Sequence, residues 1–422
     1  MKQNPFTETH APAVGPRGPL AGIRIVDLTS VVFGPYATQT LGDMGADVIK
    51  VEGPDGDIVR RIQPERNPGM GAAFLCANRN KRSLVLDLKR PEARAALLKV
   101  IAGADVFVHS MRPQAIAKLG LTYADVKAAK PDIVYCSAWG FASDGPYAER
   151  PAYDDVIQAM SGVADLTRRQ TGGAPALAPT ILADKTSGMA LTSALLLALF
   201  HRERTGEGQQ VEVPMFEVMT SNVLIEHLAG STFVPPIATD GTTMGYSRVL
   251  APDRKPYPTA DGFMTVTPYT DKHWQKFFEV AGRPELGRDP RFNAVGARSQ
   301  NIRDLYAIVA QTMPAKTTAE WLVLLEQADI PAIQVNRLED LLEDRHLVAT
   351  GFFQEYDHPS EGRIRTTAVP VRLSASPGDA LRLAPPRLGQ HTRDVLSEAG
   401  LTQTEIGALV QAGAAVADGN TT

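Results

Sequence analysis

The chain has 422 residues and a mass of 45.4 kDa, which exceeds the size at which a single hydrophobic core stops growing, so two domains are expected. Lysine and arginine together number 43 against 47 aspartates and glutamates, which gives a net charge of -4 and an isoelectric point near 6.1. Because no basic surplus is available to neutralise a phosphate backbone, we do not expect nucleic acid as a partner.

The sequence indicates a cytoplasmic protein. Cys76 and Cys136 each lie in an apolar stretch and are predicted to be reduced core thiols. Residues 1–17 are polar and proline-rich, without the apolar run of a secretory signal, and are predicted to form a disordered lead-in. The most apolar stretch, residues 189–200, is shorter than the roughly 20 residues that cross a bilayer, so we expect a buried helix and no membrane partner.

Strand and helix patterns alternate along the first third of the chain. The predicted strands cover residues 23–28, 47–52, 83–88, 105–110 and 132–139, and the predicted helices cover residues 35–46, 91–104, 114–120 and 123–130. Such alternation is typical of a mainly parallel sheet with helices on both faces, so the fold class is predicted to be α/β.

The pattern changes after residue 215. Residues 216–335 contain shorter helical segments and a hairpin at 255–269 whose turn is Ala-Asp-Gly, which predicts a smaller second domain of α+β type. Residues 366–401 are extended and proline-rich before a final helix, and we expect this segment to return to the first domain.

Ligands of an open parallel sheet collect at the carboxyl ends of its strands, so the loops after the strands are candidate sites. Residues 29–36, after the first strand, contain Gly34 and Pro35 but no G-x-G-x-x-G fingerprint. The missing fingerprint argues against a nicotinamide or flavin enzyme.

Several cationic side chains flank the predicted strands. Arg112 and Lys118 follow the fourth strand, and a second group lies between residues 78 and 89: Arg79, Lys81, Arg82 and Lys89. Cations beside the free amides of a helix N-terminus suit phosphate, so this pattern predicts a phosphate-rich ligand. The alternative interpretation is an ordinary solvated surface.

Asp184 stands just ahead of a long apolar helical pattern that ends at Gly206. The pattern places it at the cap or in the first turn of the helix, where the helix dipole and free backbone amides are expected to keep it ionised. The structural interpretation is an N-cap. The functional interpretation is a covalent nucleophile, because an ionised carboxylate at such a site can attack an acyl carbon.

Other catalytic patterns are absent from the sequence. No G-x-S-x-G motif is present, and the eight histidines show neither H-x-H nor H-E-x-x-H spacing, so no nucleophile elbow and no metal site are predicted. His109 at a strand end could contact a ligand, but a structural histidine is the alternative.

Motifs in a fixed order along residues 18–400 resemble the class III coenzyme A transferases, the superfamily that contains formyl-CoA transferase and carnitine CoA-transferase. The matching stretches are GPLAGIRIVDLTSVVFGPYATQTLGDMGADVIKVEGPDGD (18–57), NRNKRSLVLDLK (78–89), ADVFVHSMRPQAIAKLGL (104–121), PAYDDVIQAMSG (151–162), ILADKTSGMA (181–190), RTGEGQQVEVPMFE (204–217), ADIPAIQVN (328–336) and LGQHTRDVL (388–396). The shared order carries the resemblance, since each motif alone is weak.

The resemblance implies a Rossmann-like large domain made from both chain ends, residues 1–215 and 336–422, with a small domain inserted at 216–335. It also implies an interlocked homodimer and a CoA-transferase activity with coenzyme A as substrate and no metal. In the family's D-x-x-S/T-G stretch the aspartate accepts the acyl group, and here that residue is Asp184.

The resemblance also implies CoA contacts. By position they are Val32, Phe33, Leu86, Lys89, Ser110, Met111, Arg112, Lys118, Ala138, Trp139 and Gly140. Several identities differ from formyl-CoA transferase, which has glutamine at Val32, arginine at Gly53 and Lys118, and lysine at Trp139. A loop of consecutive glycines is also not visible, so formyl/oxalate specificity is in doubt.

Two other functions compete with the transferase. The racemase branch of the same superfamily uses a histidine where this chain has Tyr153, and a phenol is a poor base at neutral pH. A non-catalytic CoA-binding subunit would not need an ionised Asp184. Asp154, Asp155 and Gln158 are expected either near the site or as helix caps. The acyl donor and acceptor acids are left open.

Overall fold

The protein is described by a computed structural model in which residues 18–239 and 241–418 are placed. The disordered lead-in predicted for residues 1–17 lies outside the described residues. The strands are β1 (Arg24–Leu28), β2 (Asp47–Glu52), β3 (Lys81–Leu86), β4 (Val106–His109), β5 (Val134–Trp139), β6 (Gln210–Pro214), β7 (Tyr257–Pro258), β8 (Phe263–Val266), β9 (Ala332–Gln334), β10 (Phe353–His358), β11 (Gly362–Thr367) and β12 (Ala415–Val416).

The α-helices complete the described secondary structure with a few 3-10 turns. They are α1 (Phe33–Asp43), α2 (Ala72–Ala77), α3 (Pro91–Ala102), α4 (Pro113–Lys118), α5 (Tyr123–Ala129), α6 (Asp154–Met160), α7 (Val163–Thr171), α8 (Leu182–Thr205), α9 (Met215–His227), α10 (Asp271–Val280), α11 (Val295–Gln300), α12 (Ile302–Thr312), α13 (Thr318–Gln327), α14 (Arg345–Ala349), α15 (Thr392–Glu398) and α16 (Gln403–Gln411).

The chain divides into two compact units. The first comprises Met1–Ser161, Pro179–Ser221 and His346–Thr422, and the second comprises Gly162–Ala178 and Asn222–Arg345. The first unit therefore draws on both ends of the chain.

The first unit contains a sheet with the strand order β12-β3-β2-β1-β4-β5-β6. The pairs from β3 to β6 are all parallel, and β12 pairs antiparallel with β3 through Ala415 and Leu86. Order 3-2-1-4-5-6 is that of the Rossmann fold, in which the order reverses between β1 and β4. The predicted α/β class with a parallel sheet is confirmed.

Burial of apolar strand residues against α3 and the C-terminal helices stabilises one face of this sheet. Val26, Leu84 and Phe107 are fully buried beside residues of α3 and of the C-terminal helices α15 and α16, including Leu396 and Ile406. Each such side chain contributes about 1.5–3 kcal/mol when removed from water. The C-terminal segment thus completes the core of the first unit.

Helix α8 differs from the prediction of a buried helix over residues 189–200. Leu191 and Leu195 are fully buried, but Met189, Leu197 and Phe200 are 63%, 69% and 61% exposed. The prediction is therefore wrong for one face of the helix. Among residues 18–239 and 241–418, no helix has the length and hydropathy to cross a membrane.

Only one of the two cysteines belongs to the core. Cys136 is buried on β5, as predicted, whereas Cys76 is exposed on α2. The prediction of two core thiols is therefore wrong for Cys76, because the short helix α2 turns that residue outward.

The second unit has its own aromatic core. Trp274, Phe277 and Trp321 are buried in it. A three-stranded antiparallel sheet of order β7-β8-β9 packs with α10 and α13, the helices that carry these residues. The predicted hairpin is confirmed as β7 and β8, with the Thr259 amide donating to the Gly262 carbonyl across the turn (2.9 Å).

Candidate active site

A cavity of about 240 Å³ opens in the first unit at the carboxyl ends of β1, β4 and β5. It brings together the following predicted residues: Phe33, Ser110, Arg112, Ala138, Trp139, Gly140 and Asp184. The other lining residues were not predicted as contacts: Ser30, Val31, Arg150, Pro151, Ala152, Tyr153 and Met215. The cavity lies where strand order reverses, the usual ligand position in this architecture.

The remaining predicted CoA contacts are not among the residues that line the cavity. Val32 is the N-cap residue of α1, and Met111 packs against the core. Lys118 and Lys89 are exposed. Leu86 is fully buried at the end of β3, two strands from β1 and hence about 10 Å away, so its side chain is not available to a ligand. These residues do not line the cavity around Asp184.

Asp184 lies in the first turn of α8, which begins at Leu182. Its side chain is 94% buried, with 6% of its surface exposed, and it lines the cavity. Its backbone N–H donates to Oδ1 of Asp154 (3.1 Å). The first-turn placement agrees with the periodicity of the sequence.

Burial outweighs the helix terminus in setting the pKa of Asp184. Burial, and then the carboxylate of Asp154, raise the pKa of Asp184 to about 6. A helix terminus stabilises a carboxylate by only about 0.3–1 kcal/mol, which is less than the desolvation that accompanies burial. The carboxyl is still mostly ionised at pH 7, and its raised pKa makes the carboxylate more basic and a better nucleophile than an exposed one.

Asp154 connects the first turns of two helices. It is the first residue of α6, and its Oδ2 accepts a hydrogen bond from Nε2 of Gln158 (2.5 Å). Gln158 is fully buried and also donates to the carbonyl oxygen of Thr180, just before α8 (3.2 Å). Asp154 therefore satisfies an amide at the start of α8 from 30 positions earlier in the chain.

A buried ion pair holds the loop after β1. Val31 has φ of 69°, a left-handed conformation that costs a β-branched residue about 1–3 kcal/mol. Its N–H donates to both carboxylate oxygens of Asp57, at 3.2 Å each. Lys50 donates to the same carboxylate (2.9 Å) and to the carbonyl of Thr29 (3.1 Å). Burial opposes the charge of Lys50, but Asp57 raises its pKa.

Lys50 and Asp57 were not predicted as residues of the site. Both charged side chains fall in or after an apolar strand, a pattern that could have indicated a buried pair. The hydrogen bonds of Asp57 define the shape of the cavity wall at Val31, so the pair is part of the site although neither residue lines it.

Two arginines bring positive charge to the cavity. Arg112 is the N-cap residue of α4, and its Nη1 donates to the carbonyl of Glu149 (3.0 Å). The guanidinium carbon of Arg150 lies 4.2 Å from the ring centroid of Tyr147. Arg150 was missed because it lies 11 positions beyond the end of β5, where sequence spacing does not show that the loop returns to the cavity.

Two buried polar atoms near Asp184 have no hydrogen-bond partner among the described residues. They are Nε1 of Trp139 and Oγ of Ser187. Trp139 lines the cavity, and Ser187 follows Asp184 by one helical turn on the same face of α8. Unpartnered buried donors are rare in folded proteins, and each is available to a ligand or to water.

His109 takes the structural role that the sequence left open. It is fully buried, and its Nε2 lies 2.9 Å from the hydroxyl of Tyr135. Burial lowers the pKa of His109 to about 3, so the ring is neutral. Within residues 18–239 and 241–418, no group of three metal-ligating side chains is present.

Comparisons with known proteins place the chain in a family. The model of CoA-transferase family III matches residues 20–392. The chain is 32% identical to mouse "Succinyl-CoA:glutarate CoA-transferase" (Mus musculus), over 90% of this chain and 86% of the relative. It is 31% identical to "Formyl-CoA:oxalate CoA-transferase" of Escherichia coli, over 93% of this chain and 98% of the relative.

Solved structures agree with this result. The crystal structure of Rv3272 from Mycobacterium tuberculosis matches with a TM-score of 0.76 at 32% identity, covering 90% of this chain and 99% of that one. A CAIB/BAIF family protein from Brucella suis matches with a TM-score of 0.74 at 31% identity, covering 91% and 100%. The chain therefore belongs to family III of the CoA-transferases and is an acyl-CoA:carboxylate CoA-transferase.

Proposed function

We propose that this transferase moves CoA from an acyl-CoA donor to a carboxylic acid acceptor through covalent intermediates on Asp184. The observation that carries the proposal is a buried carboxylate, mostly ionised at pH 7, in the cavity at the switch point of the sheet. A desolvated carboxylate of raised pKa can act as the nucleophile that attacks a thioester.

The proposed reaction has four steps. A carboxylate oxygen of Asp184 attacks the thioester carbonyl carbon, and CoA thiolate leaves to give a mixed anhydride. The thiolate then attacks the Asp184 acyl carbon of the anhydride, which releases the donor acid and forms an aspartyl-CoA thioester. The acceptor carboxylate attacks this thioester to form a second anhydride. The returning thiolate attacks the acceptor acyl carbon, which frees Asp184 and releases the new acyl-CoA.

Energetics suit this scheme. One thioester replaces another, so the overall exchange is near thermoneutral and needs neither ATP nor a metal. Each tetrahedral intermediate carries an oxyanion, for which one hydrogen-bond donor typically contributes about 3 kcal/mol. The unpartnered Oγ–H of Ser187 and Nε1–H of Trp139 are candidate donors.

CoA is proposed to lie along the carboxyl edge of the sheet. Ser110 and Arg112 are at the end of β4, and Oγ of Ser110 accepts a hydrogen bond from the amide of Ser30 (3.2 Å), which ties the loops after β1 and β4 together. Lys118 and Lys89 would reach the outer phosphates. In this arrangement the thioester meets Asp184 and the nucleotide extends toward the exposed cations.

We further propose a cytoplasmic, interlocked homodimer with the small domain at residues 216–335 inserted between the two parts of the large one. The apolar exposed face of α8, with Met189, Leu197 and Phe200, supports burial against a second copy.

A racemase is disfavoured, because the position of its histidine holds Tyr153, whose phenol is a poor base at neutral pH.

The experiment is an exchange assay with Asp184→Asn. Purified protein is incubated with succinyl-CoA or acetyl-CoA and a panel of mono- and dicarboxylic acids, and acyl-CoA products are detected by mass. We expect near-complete loss of exchange in the variant with CoA binding retained. Asp155→Asn, an exposed neighbour in α6, is the matched control and should exchange normally. Unchanged exchange in Asp184→Asn removes the assignment.

A further inference from the structure

The second unit contains a cavity of about 350 Å³, which is within the roughly 300–1,000 Å³ usual for small-molecule sites. Its lining residues all fall within positions 248–309, so this unit builds the cavity alone and shares no lining residue with the cavity around Asp184. Part of the lining is apolar or aromatic and comes from β8, α10 and α12: Val266, Trp274 and Val309. A small molecule can therefore bury an apolar part here.

The polar part of the lining carries three cations and, among the described residues that form it, no carboxylate. The cations are Arg248, Arg254 and Lys255. Lys255 pairs with Asp253, with Nζ 3.4 Å from the carboxylate. Within residues 18–239 and 241–418, no carboxylate forms an ion pair with either arginine. Two positive charges are thus left uncompensated, which favours a ligand with two negative charges.

The guanidinium of Arg248 is held between two aromatic side chains that line the cavity. Its Nε donates to the hydroxyl of Tyr306 (3.1 Å), and its central carbon lies 5.1 Å from the ring centroid of Tyr269. Nη1 and Nη2 donate to no side chain or carbonyl in the part of the chain that the structure describes. Their planar pair of N–H groups is therefore available to two oxygens of one anion.

A buried tyrosine adds a neutral donor to the same lining. Tyr257 is only 4% exposed, and its hydroxyl has no hydrogen-bond partner among the described residues. Burial, followed by the neighbouring Tyr306 and Asp253, raises the pKa of Tyr257, so the phenol stays protonated and can donate. Buried hydroxyl groups without a partner are rare in folded proteins, and this one is available to a ligand.

The loop that bears the two arginines is fixed by a side chain from α7. Nε2 of Gln170 donates to the carbonyl of Arg254 (2.9 Å) and to that of Val249 (3.5 Å). A loop that is already ordered costs less conformational entropy when a ligand binds. The cationic side of the cavity is thus organised in advance.

We propose that this cavity binds a nucleoside monophosphate. A phosphate monoester carries a charge of about -1.5 to -2 at pH 7 on one group, which matches the two unpaired arginines better than a carboxylate of single charge does. The aromatic lining, in which Tyr269 is 66% exposed, suits stacking of a planar base. A free nucleotide and the 3′-phosphoadenosine end of CoA both have this chemistry, and the test distinguishes these two sources.

The test is calorimetric titration of the full-length protein with AMP, adenosine and inorganic phosphate. We expect AMP to bind, and adenosine and phosphate to bind about 10-fold or more weakly, because each lacks one half of the ligand. In Arg248→Gln and in Arg254→Gln the Kd of AMP should rise about 10- to 100-fold, as for loss of a charged hydrogen bond. The exposed Arg254 makes no side-chain bond to the fold, so its variant tests the site without disturbing Tyr306. Arg283→Gln is the matched control, because Arg283 pairs with Glu285 and does not line the cavity, and its Kd should equal that of wild type.

Repeating the titration with saturating CoA identifies the source of the nucleotide. AMP binding that persists indicates a free nucleotide. AMP binding that CoA abolishes, together with a higher Kd of CoA in Arg248→Gln, indicates the nucleotide end of CoA.

Three results would overturn the inference. One is the absence of AMP binding by wild type, and another is a Kd of AMP that is the same in both arginine variants as in wild type. The third is AMP binding that CoA abolishes while Arg248→Gln leaves the Kd of CoA unchanged, because AMP then occupies the CoA site of the first unit.

Discussion

The raised pKa of Asp184 predicts that its ionised carboxylate lowers the free energy of unfolding of the protein. Its pKa is about 6, against an ordinary value of 3.8, because the buried site disfavours the charge. The difference of about 2 units corresponds to about 3 kcal/mol at 1.36 kcal/mol per unit. Asp184→Asn removes the charge, so we expect the variant to be more stable than wild type by up to about 3 kcal/mol at pH 8.

The sign follows from proton binding. Between pH 4 and pH 6 the folded protein holds a proton on Asp184 that the unfolded chain has lost, so wild-type stability falls as the pH rises. Below about pH 4 both states are protonated and the difference disappears. The gap between Asp184→Asn and wild type should therefore widen by about 2 kcal/mol from pH 4.5 to pH 8.

Urea unfolding at fixed protein concentration, at pH 4.5 and pH 8, measures this gap. Asp155→Asn, which makes the same substitution at an exposed position in the first turn of α6, is the control for the effect of the amide itself. A variant Asp184→Asn that is less stable than wild type at pH 8 would show that the carboxylate is a structural cap. A gap that does not change with pH would refute the reasoning from desolvation.

Three further predictions concern the surroundings of Asp184. Asp154→Asn keeps an acceptor for the Asp184 amide but removes the negative charge that is the second cause of the raised pKa of Asp184. The midpoint of the acid limb of kcat/KM should therefore fall from about pH 6 by less than about one pH unit. An unchanged midpoint contradicts this. Asp57→Asn removes the charged partner of buried Lys50 and the ionised acceptor of the Val31 amide. Urea unfolding should show that the free energy of unfolding falls by about 3–5 kcal/mol. A decrease below about 1 kcal/mol would count against the buried pair. In Gly188→Ala the new methyl group would lie 2.9 Å from a ring carbon of Tyr36 and 3.0 Å from the carbonyl oxygen of Phe33, both in α1. We therefore expect the midpoint of thermal unfolding to fall by several degrees. An equal midpoint contradicts the close packing of α1 and α8.

The sequence predicted the elements whose signal is local. β1 and β2 are runs of apolar residues between turn signals, and their predicted bounds differ from the observed ones by at most a residue. β12 was not predicted, because two residues of an alanine-rich segment carry no periodicity and are strand only through pairing with Leu86. β6, at the other edge of the sheet, was not predicted either. Local patterns therefore indicate the central strands but not the two edge strands.

The site shows the same division. Asp184 could be placed at a helix start from the pattern that follows it, but the direction of its pKa could not, because burial and the approach of Asp154 are tertiary features. Lys50 was counted within a strand, and its pairing with Asp57 depends on a loop that folds back onto that strand. Arg150 reaches the cavity only through the course of a loop.

The most direct test of the mechanism is to trap the acyl group on Asp184. The protein is incubated with an acyl-CoA donor and hydroxylamine, which captures an activated carboxyl as a hydroxamate, and peptides are mapped by mass. Modification of the peptide at Asp184, dependent on the donor and absent in Asp184→Asn, is the predicted result. Continued turnover with Asp184 unmodified, or a hydroxamate at another carboxyl group, would contradict the account.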